Sequence, residues 1–180
     1  MRVQQKDWLE RGLELLAREG LNAVTIDAMC RNLGVTKGSF YHHFANREAF
    51  LKGLLHHWEE QYTMAFITYS AAGKTPQEQM ERLMKVVVRN HDDSEVAIRV
   101  WAQSDPVART YQARVDQKRV AYLAQLLKAM RMNPAEARTR AQMLYTMMVG
   151  AQTVVPALTR DELRAMYSQL ETLTSTSHKE

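Results

Sequence analysis

Six donor side chains sit within eight residues: Thr36, Lys37, Ser39, Tyr41, His42 and His43 each offer an N–H or O–H, and no carboxylate interrupts them. Between residues 31 and 52 the basic side chains are Arg31, Lys37, Arg47 and Lys52 against Glu48 alone, a local charge of +3 before the histidines count. Positive charge clustered among hydroxyls and aromatic rings is the composition of a surface that touches nucleic acid. Gly38, in the middle of the run, costs a helix about 1 kcal/mol against alanine. Two reasons would justify it: a side chain there would block close approach to a phosphate backbone, or the position packs tightly inside the protein.

Other residue sets would support an enzyme, and each carries less. His42 and His43 offer imidazoles to zinc, but adjacent helical positions diverge by about 100° and no carboxylate stands at a suitable spacing. His56 with Glu59 or Glu60 has the spacing of a metal pair on a helix, yet a dinuclear carboxylate site needs a second pair, and no Glu-x-x-His occurs anywhere in the sequence. A solvated helix face accounts for it. His91 and Asp92 resemble paired ligands of metal-dependent phosphohydrolases but lie in a polar run, residues 90–95, that reads as a loop. The single cysteine, Cys30, excludes an internal disulfide and a multi-thiolate metal site; beside Ile26, Met29 and Leu33 it reads as a small core residue. No catalytic set, metal site or cofactor is expected.

The elements that would hold these residues read as all helix. Glycine (7) and proline (4) are scarce, and no Val/Ile/Thr alternation sustains a strand. Thr75-Pro76-Gln77-Glu78 and Asn133-Pro134-Ala135-Glu136 each supply an N-cap, a proline at the first helical position and a closing glutamate. Thr159-Arg160-Asp161-Glu162 gives the box without proline, and Asp105-Pro106 ends one helix and caps the next. Trp8, Leu9, Leu13 and Leu16 mark a first helix capped by Gly20. Leu51, Leu54, Leu55, Trp58, Tyr62, Phe66 and Tyr69 mark one long helix over residues 47–72, roughly 40 Å in length. Tyr111, Val115, Tyr122, Leu126 and Met130 stripe another, and Leu163, Met166, Tyr167, Leu170 and Leu173 a last one. Thr25 caps a short helix, Gly34 supplies the positive φ of a tight turn, Val35 plugs it from below, and Thr36 caps a second short helix. Two short helices about a glycine-centred turn form a helix-turn-helix.

Through Gly34-Val35-Thr36-Lys37-Gly38-Ser39-Phe40-Tyr41-His42-His43-Phe44 the chain resembles the DNA-binding domain of TetR-type transcriptional regulators, over roughly residues 4–58. Leu33 stands where alanine is commoner, and Asn46-Arg47 where serine-lysine is. The resemblance implies a homodimer of about nine helices per subunit. Residues 1–48 would form the three-helix DNA-binding domain, with the motif at about 25–44. Residues 49–174 would form the helical effector-binding and dimerisation domain, and 175–180 a frayed tail. It also implies a regulator, most simply a repressor, that leaves a near-palindromic operator when a small molecule binds, with the long fourth helix as lever. Carried over by position, Thr25 meets phosphate; Thr36, Lys37, Ser39 and His43 face the major groove; Tyr41 and His42 meet backbone phosphates. Arg47 and Lys52 flank a helix start where free N–H groups also favour phosphate. The rival readings are the His91–Asp92 phosphohydrolase and a helical interaction module without DNA; neither explains residues 25–49.

The effector side is less legible. Trp101, Tyr111, Tyr122 and Tyr145, with several of the 11 methionines, suit a pocket for an apolar ligand and equally an ordinary core. Residues 106–140 hold eight basic side chains against Asp116 and Glu136. Arg119 lies on or beside the apolar stripe, where it either snorkels to water or recognises an anionic, partly apolar effector. Residues 141–159 carry no charge, but Gln142, Thr146, Gln152, Thr153 and Pro156 make a membrane span costly. Burial against a second copy is expected instead, through Tyr145, Met148, Gly150, Ala151, Val155, Met166 and Leu170. With 46% hydrophobic and 24% charged residues in 180, wholesale disorder is excluded, and a net charge of +4 favours an anionic partner. The first residues show no secretory pattern, so a cytoplasmic protein is expected.

Overall fold

The computed structural model describes residues 3–90, 93–154, 158–159, 161–163, 165–166 and 169; His91, Asp92, Val155 and Leu170 therefore lie outside the described residues. The described residues form helices and turns: α1 Gln5–Glu19, α2 Ile26–Leu33, α3 Lys37–His43, α4 Arg47–Glu59, α5 Ala65–Ala71, α6 Pro76–Arg89, α7 Ser94–Ser104, α8 Pro106–Ala129 and α9 Pro134–Ala151. The chain divides into two compact units, Met1–Met64 with Asp92–Val115, and Ala65–His91 with Asp116–Glu180. The unit holding the helix-turn-helix thus reaches past residue 48 and takes in α7 and the start of α8.

The first unit is built on aromatic packing. Trp8, Phe40, Phe50, Leu54, Leu55 and Trp58 are almost fully buried, joined by Ile98, Trp101 and Val115 from α7 and α8. Gly12 lets α1 lie directly on α4: a Cβ there would stand 2.6 Å from Leu54 Cδ1 and 2.8 Å from Phe50 Cζ. Gly20 ends α1 with φ +77° and ψ 175°. That is not the left-handed helical cap the sequence suggests, but an extended positive-φ conformation still reserved for glycine.

In the second unit Met80, Leu83, Tyr122, Leu126, Ala137, Ala141 and Tyr145 form the core, with a smaller cluster of Val88, Ala151 and Leu163. Three of the caps read from the sequence hold here: the Thr75 hydroxyl accepts from the Glu78 N–H, Asn133 Oδ1 from the Ala135 N–H, and the Thr159 hydroxyl from the Glu162 N–H. Asp105 Oδ1 accepts from the Val107 and Ala108 N–H groups at 2.8 and 2.9 Å. These bonds, the one from Ala108 foremost, hold its carboxyl below the usual range.

The helix expected over residues 47–72 is interrupted. A π-helical turn at Glu60–Met64 separates α4 from α5. Beyond the turn Ser70 is fully buried while Tyr69, the last member of the expected stripe, is 40% exposed. Ser70 donates to the Gln79 carbonyl at 2.6 Å and accepts from the Tyr122 hydroxyl at 2.9 Å, while the Tyr69 ring lies 4.3 Å from the Arg82 guanidinium carbon.

Candidate nucleic-acid interface

Local bonding fixes the motif. The Thr25 hydroxyl accepts from the Ala28 N–H at 3.1 Å and opens α2. Gly34, at φ +66° and ψ 34°, turns the chain through the left-handed region, and the Val35 N–H donates to the Cys30 carbonyl at 3.0 Å. Thr36 precedes α3 in extended conformation, but its hydroxyl makes no cap bond. The expected cap is therefore absent, which leaves that hydroxyl at the surface.

Phe40 decides which way α3 faces. It is fully buried, with ring centroids 5.4 Å from Trp8, 5.4 Å from Phe44 and 5.6 Å from Phe50. Anchored there and at Phe44, the helix turns Lys37, Tyr41 and His42 outward, with Tyr41 54% exposed and Ser39 half-buried. Gly38 is exposed, and a Cβ on it would meet only the Thr36 hydroxyl, at an ordinary 3.6 Å. Tight internal packing does not explain this glycine.

Several expected contacts are placed elsewhere. His43 turns back: its Nε2 lies 3.2 Å from the Val3 carbonyl, to which the ring N–H donates, and its ring sits beside Trp8. It braces the N-terminal segment. Arg47 is also internal, donating through Nε to the Val24 carbonyl at 2.9 Å and through Nη2 to the Leu21 carbonyl at 3.3 Å. Lys52 pairs with Glu48 one turn earlier at 2.8 Å. Lys37 pairs with Asp27 of α2 at 2.7 Å, a hydrogen bond that pushes its ammonium pKa up. Arg31, counted in the charge but not assigned a contact from sequence, is exposed and makes no ion pair among the described residues. Its charge, on a short helix whose other side carries Ile26, Met29, Cys30 and Leu33, was the available signal.

Of the metal alternatives, the His42–His43 and His56–Glu59 pairs lie among the described residues. The His42 and His43 rings approach edge-on at 5.0 Å between centroids, but His43 Nε2 is engaged by Val3. His56 is exposed whereas Glu59 is buried and bound by the Arg114 guanidinium, whose Nε lies 3.1 Å away. Among the described residues no three His, Cys, Asp or Glu side chains gather around a common point. Burial pushes the Cys30 thiol up, away from the reactive thiolate.

The expected effector residues are divided: Trp101 and Tyr111 belong to the core of the first unit, Arg119, Tyr122 and Tyr145 to the second. Tyr145 donates to Asp116 at 2.6 Å, with Arg119 Nη1 3.5 Å from its hydroxyl. Beside them a groove of about 600 Å³ between α8 and α9 is lined by Asp116, Gln117, Val120, Ala121, Ala124, Arg138 and Gln142. Of the expected interface residues, Tyr145 and Ala151 are buried in their own chain, because they fill cores that α9 makes with its neighbours. Gly150 has open space around its Cβ position, Met148 and Met166 are half-buried, and Met143 is 63% exposed. No helix among the described residues is long and apolar enough to cross a membrane.

An all-helical chain with a helix-turn-helix whose second helix presents its polar side to solvent is the class that fold and site define. Residues 9–54 match the family described as "Bacterial regulatory proteins, tetR family". Over these residues, about a quarter of the chain, it is similar to that family. It is 23% identical over 90 residues to YuxN of Bacillus subtilis, an uncharacterized HTH-type transcriptional regulator; the match covers 50% of this chain and 31% of that protein. Among solved structures it is similar to a transcriptional regulator from Saccharomonospora viridis in complex with choline (15% identity, 96% of each chain, TM-score 0.75). The reduced form of Escherichia coli NemR (19% identity, 97% of this chain and 95% of that one, TM-score 0.70) is a second likeness. The ketosteroid regulator KstR2 of Mycobacterium tuberculosis (19% identity, 100% and 97%, TM-score 0.66) is a third. At these identities the likeness is one of fold.

Proposed function

We propose that the chain is a ligand-responsive transcriptional regulator, most simply a repressor, that binds double-stranded DNA as a homodimer and has no catalytic activity. The observation that carries this is the orientation of α3: Phe40 and Phe44 are buried while Thr36, Lys37, Tyr41 and His42 face solvent. Thr25 and Arg31 on α2 add a hydroxyl and a cation. Arg47 and His43 are left out of the proposed contact set because Arg47 Nε and Nη2 and His43 Nε2 are engaged inside the domain. Two reading heads about 34 Å apart would occupy successive major grooves of a near-palindromic site. Affinity then comes largely from phosphate neutralisation, and sequence choice from Lys37, Ser39 and their neighbours.

The dimer surface would be carried by Met143, Met148 and Gly150 of α9 with Met166, and the effector by the second unit. The regulator of like fold from Saccharomonospora viridis holds choline, which supports a small molecule as the signal in this architecture. Here the groove between α8 and α9 combines apolar Val120, Ala121 and Ala124 with Asp116 and Arg138, chemistry for a partly apolar molecule with a polar head. Effector binding needs only to favour a dimer with wrongly spaced heads. The test is to select fragments bound by the chain from the source genome and measure affinity across a salt series. Tight binding to a near-palindromic site, falling steeply with salt, is expected. A chain that shifts no duplex at low salt would overturn the reading. Effector-driven release unchanged in Arg119→Met would remove Arg119 from ligand recognition.

A further inference from the structure

Lys37 does not stand alone at the head of α3. Its ammonium is 2.7 Å from Asp27 Oδ1, so the ion pair links the two helices of the motif. Both side chains are more than half exposed, 62% and 58%, and a pair so placed is weak and exchanges readily. Asp27 stands two residues after Thr25, at the helix start assigned to phosphate. A carboxylate there opposes the charge of the partner this surface is built for, and it occupies a cation that partner would use. The neighbouring cations differ. Arg47 is spent on backbone carbonyls, and Lys52 pairs with Glu48 within a single helix.

We propose that Asp27 is a specificity-determining residue: it competes with DNA for the Lys37 ammonium, so that loosely held arbitrary duplex does not win the cation, whereas a duplex into which α3 fits does. The inference rests on the proposed DNA-binding function. Loose electrostatic association leaves α3 outside the groove, where phosphates must approach against the Asp27 charge. Insertion brings an acceptor to Lys37 at hydrogen-bonding distance, and one ion pair is then exchanged for another. Asp27 therefore weakens binding to arbitrary sequence more than binding to the operator.

Fluorescence anisotropy of the full chain, on a random-sequence duplex and on a genome-selected fragment, tests this across a salt series. Asp27→Asn keeps the shape of an exposed side chain, and Asp27→Ser is a second variant. Asp27→Asn should tighten random-duplex binding roughly 2- to 5-fold. Its slope of log affinity against log salt should steepen by about 0.9 for each DNA-binding domain engaged. The selected fragment should gain less, so discrimination falls, and in a Lys37→Met background the gain should shrink to the relief of Asp27–phosphate repulsion alone. Unchanged affinities, equal gains on both duplexes, a gain undiminished in Lys37→Met, or loss of fold in both Asp27 variants would each overturn the inference. Wild-type binding to DNA alongside an unresponsive Asp27→Asn refutes this inference alone; a wild-type chain that binds no duplex refutes the DNA-binding function beneath it as well.

Discussion

Replacing Arg47 separates a structural arginine from a phosphate contact. Its guanidinium donates to the Val24 and Leu21 carbonyls at 2.9 and 3.3 Å, tying the start of α4 to the segment that leads into α2. Hydrogen bonds from a charged donor contribute about 1.5–3 kcal/mol each. The two share one side chain and the second is long, so Arg47→Met should cost about 2 kcal/mol. Arg47→Lys should cost nearly as much, because a lysine ammonium cannot reproduce the fork. Trp8, Trp58 and Trp101, the chain's three tryptophans, all lie in the first unit's core. Urea unfolding followed by tryptophan emission therefore reads the unit that holds Arg47. The expected result is a lowered midpoint in both variants, with the salt slope of DNA binding unchanged. An unmoved midpoint together with a slope reduced by about 0.9 per domain in Arg47→Met, and rescued in Arg47→Lys, would mean that Arg47 touches phosphate after all.

Gly38→Ala should stabilise α3 by up to about 1 kcal/mol, since the Cβ meets only ordinary contact inside the protein, while weakening operator binding; a tighter complex would remove close approach as its purpose. Arg114→Met takes the guanidinium from Glu59, which is 2% exposed, and should cost about 3 kcal/mol by tryptophan emission, with part recovered by adding Glu59→Gln. His57 is buried, and burial holds its pKa below the ordinary 6.5. The unfolded chain therefore takes up that proton first, so stability is full above about pH 6.5 and declines below it. The urea midpoint of wild type should fall from pH 7 to pH 5 more than that of His57→Leu, and parallel curves would contradict the assignment.

Helix starts were legible because their signals are local: Thr75 before Pro76 and Asn133 before Pro134 satisfy orphan N–H groups with side chains two or three residues away. The turn at Gly34 was legible for the same reason, as was the inward pair Phe40 and Phe44. The π turn at Glu60–Met64 was not, since an uninterrupted apolar stripe does not show where one residue is inserted. Side-chain assignments depended on distant partners. Nothing near Arg47 in sequence announces the Val24 carbonyl 23 residues earlier, nor does His43 announce Val3, 40 residues earlier. Asp27 and Lys37, on different helices, likewise meet only once the turn is formed. Tyr145 and Ala151 read as interface because the run around them is uncharged, and an uncharged run serves an internal core equally well.

The central claim is that the outward side of α3 lies in the major groove, and alanine substitution of its two most prominent members tests it most directly. On a genome-selected fragment at fixed salt, Lys37→Ala should lose roughly 5- to 150-fold in affinity if it reads a base, and Tyr41→Ala should weaken binding about equally on all sequences. If both variants bind that fragment as tightly as the unaltered chain, α3 does not read DNA.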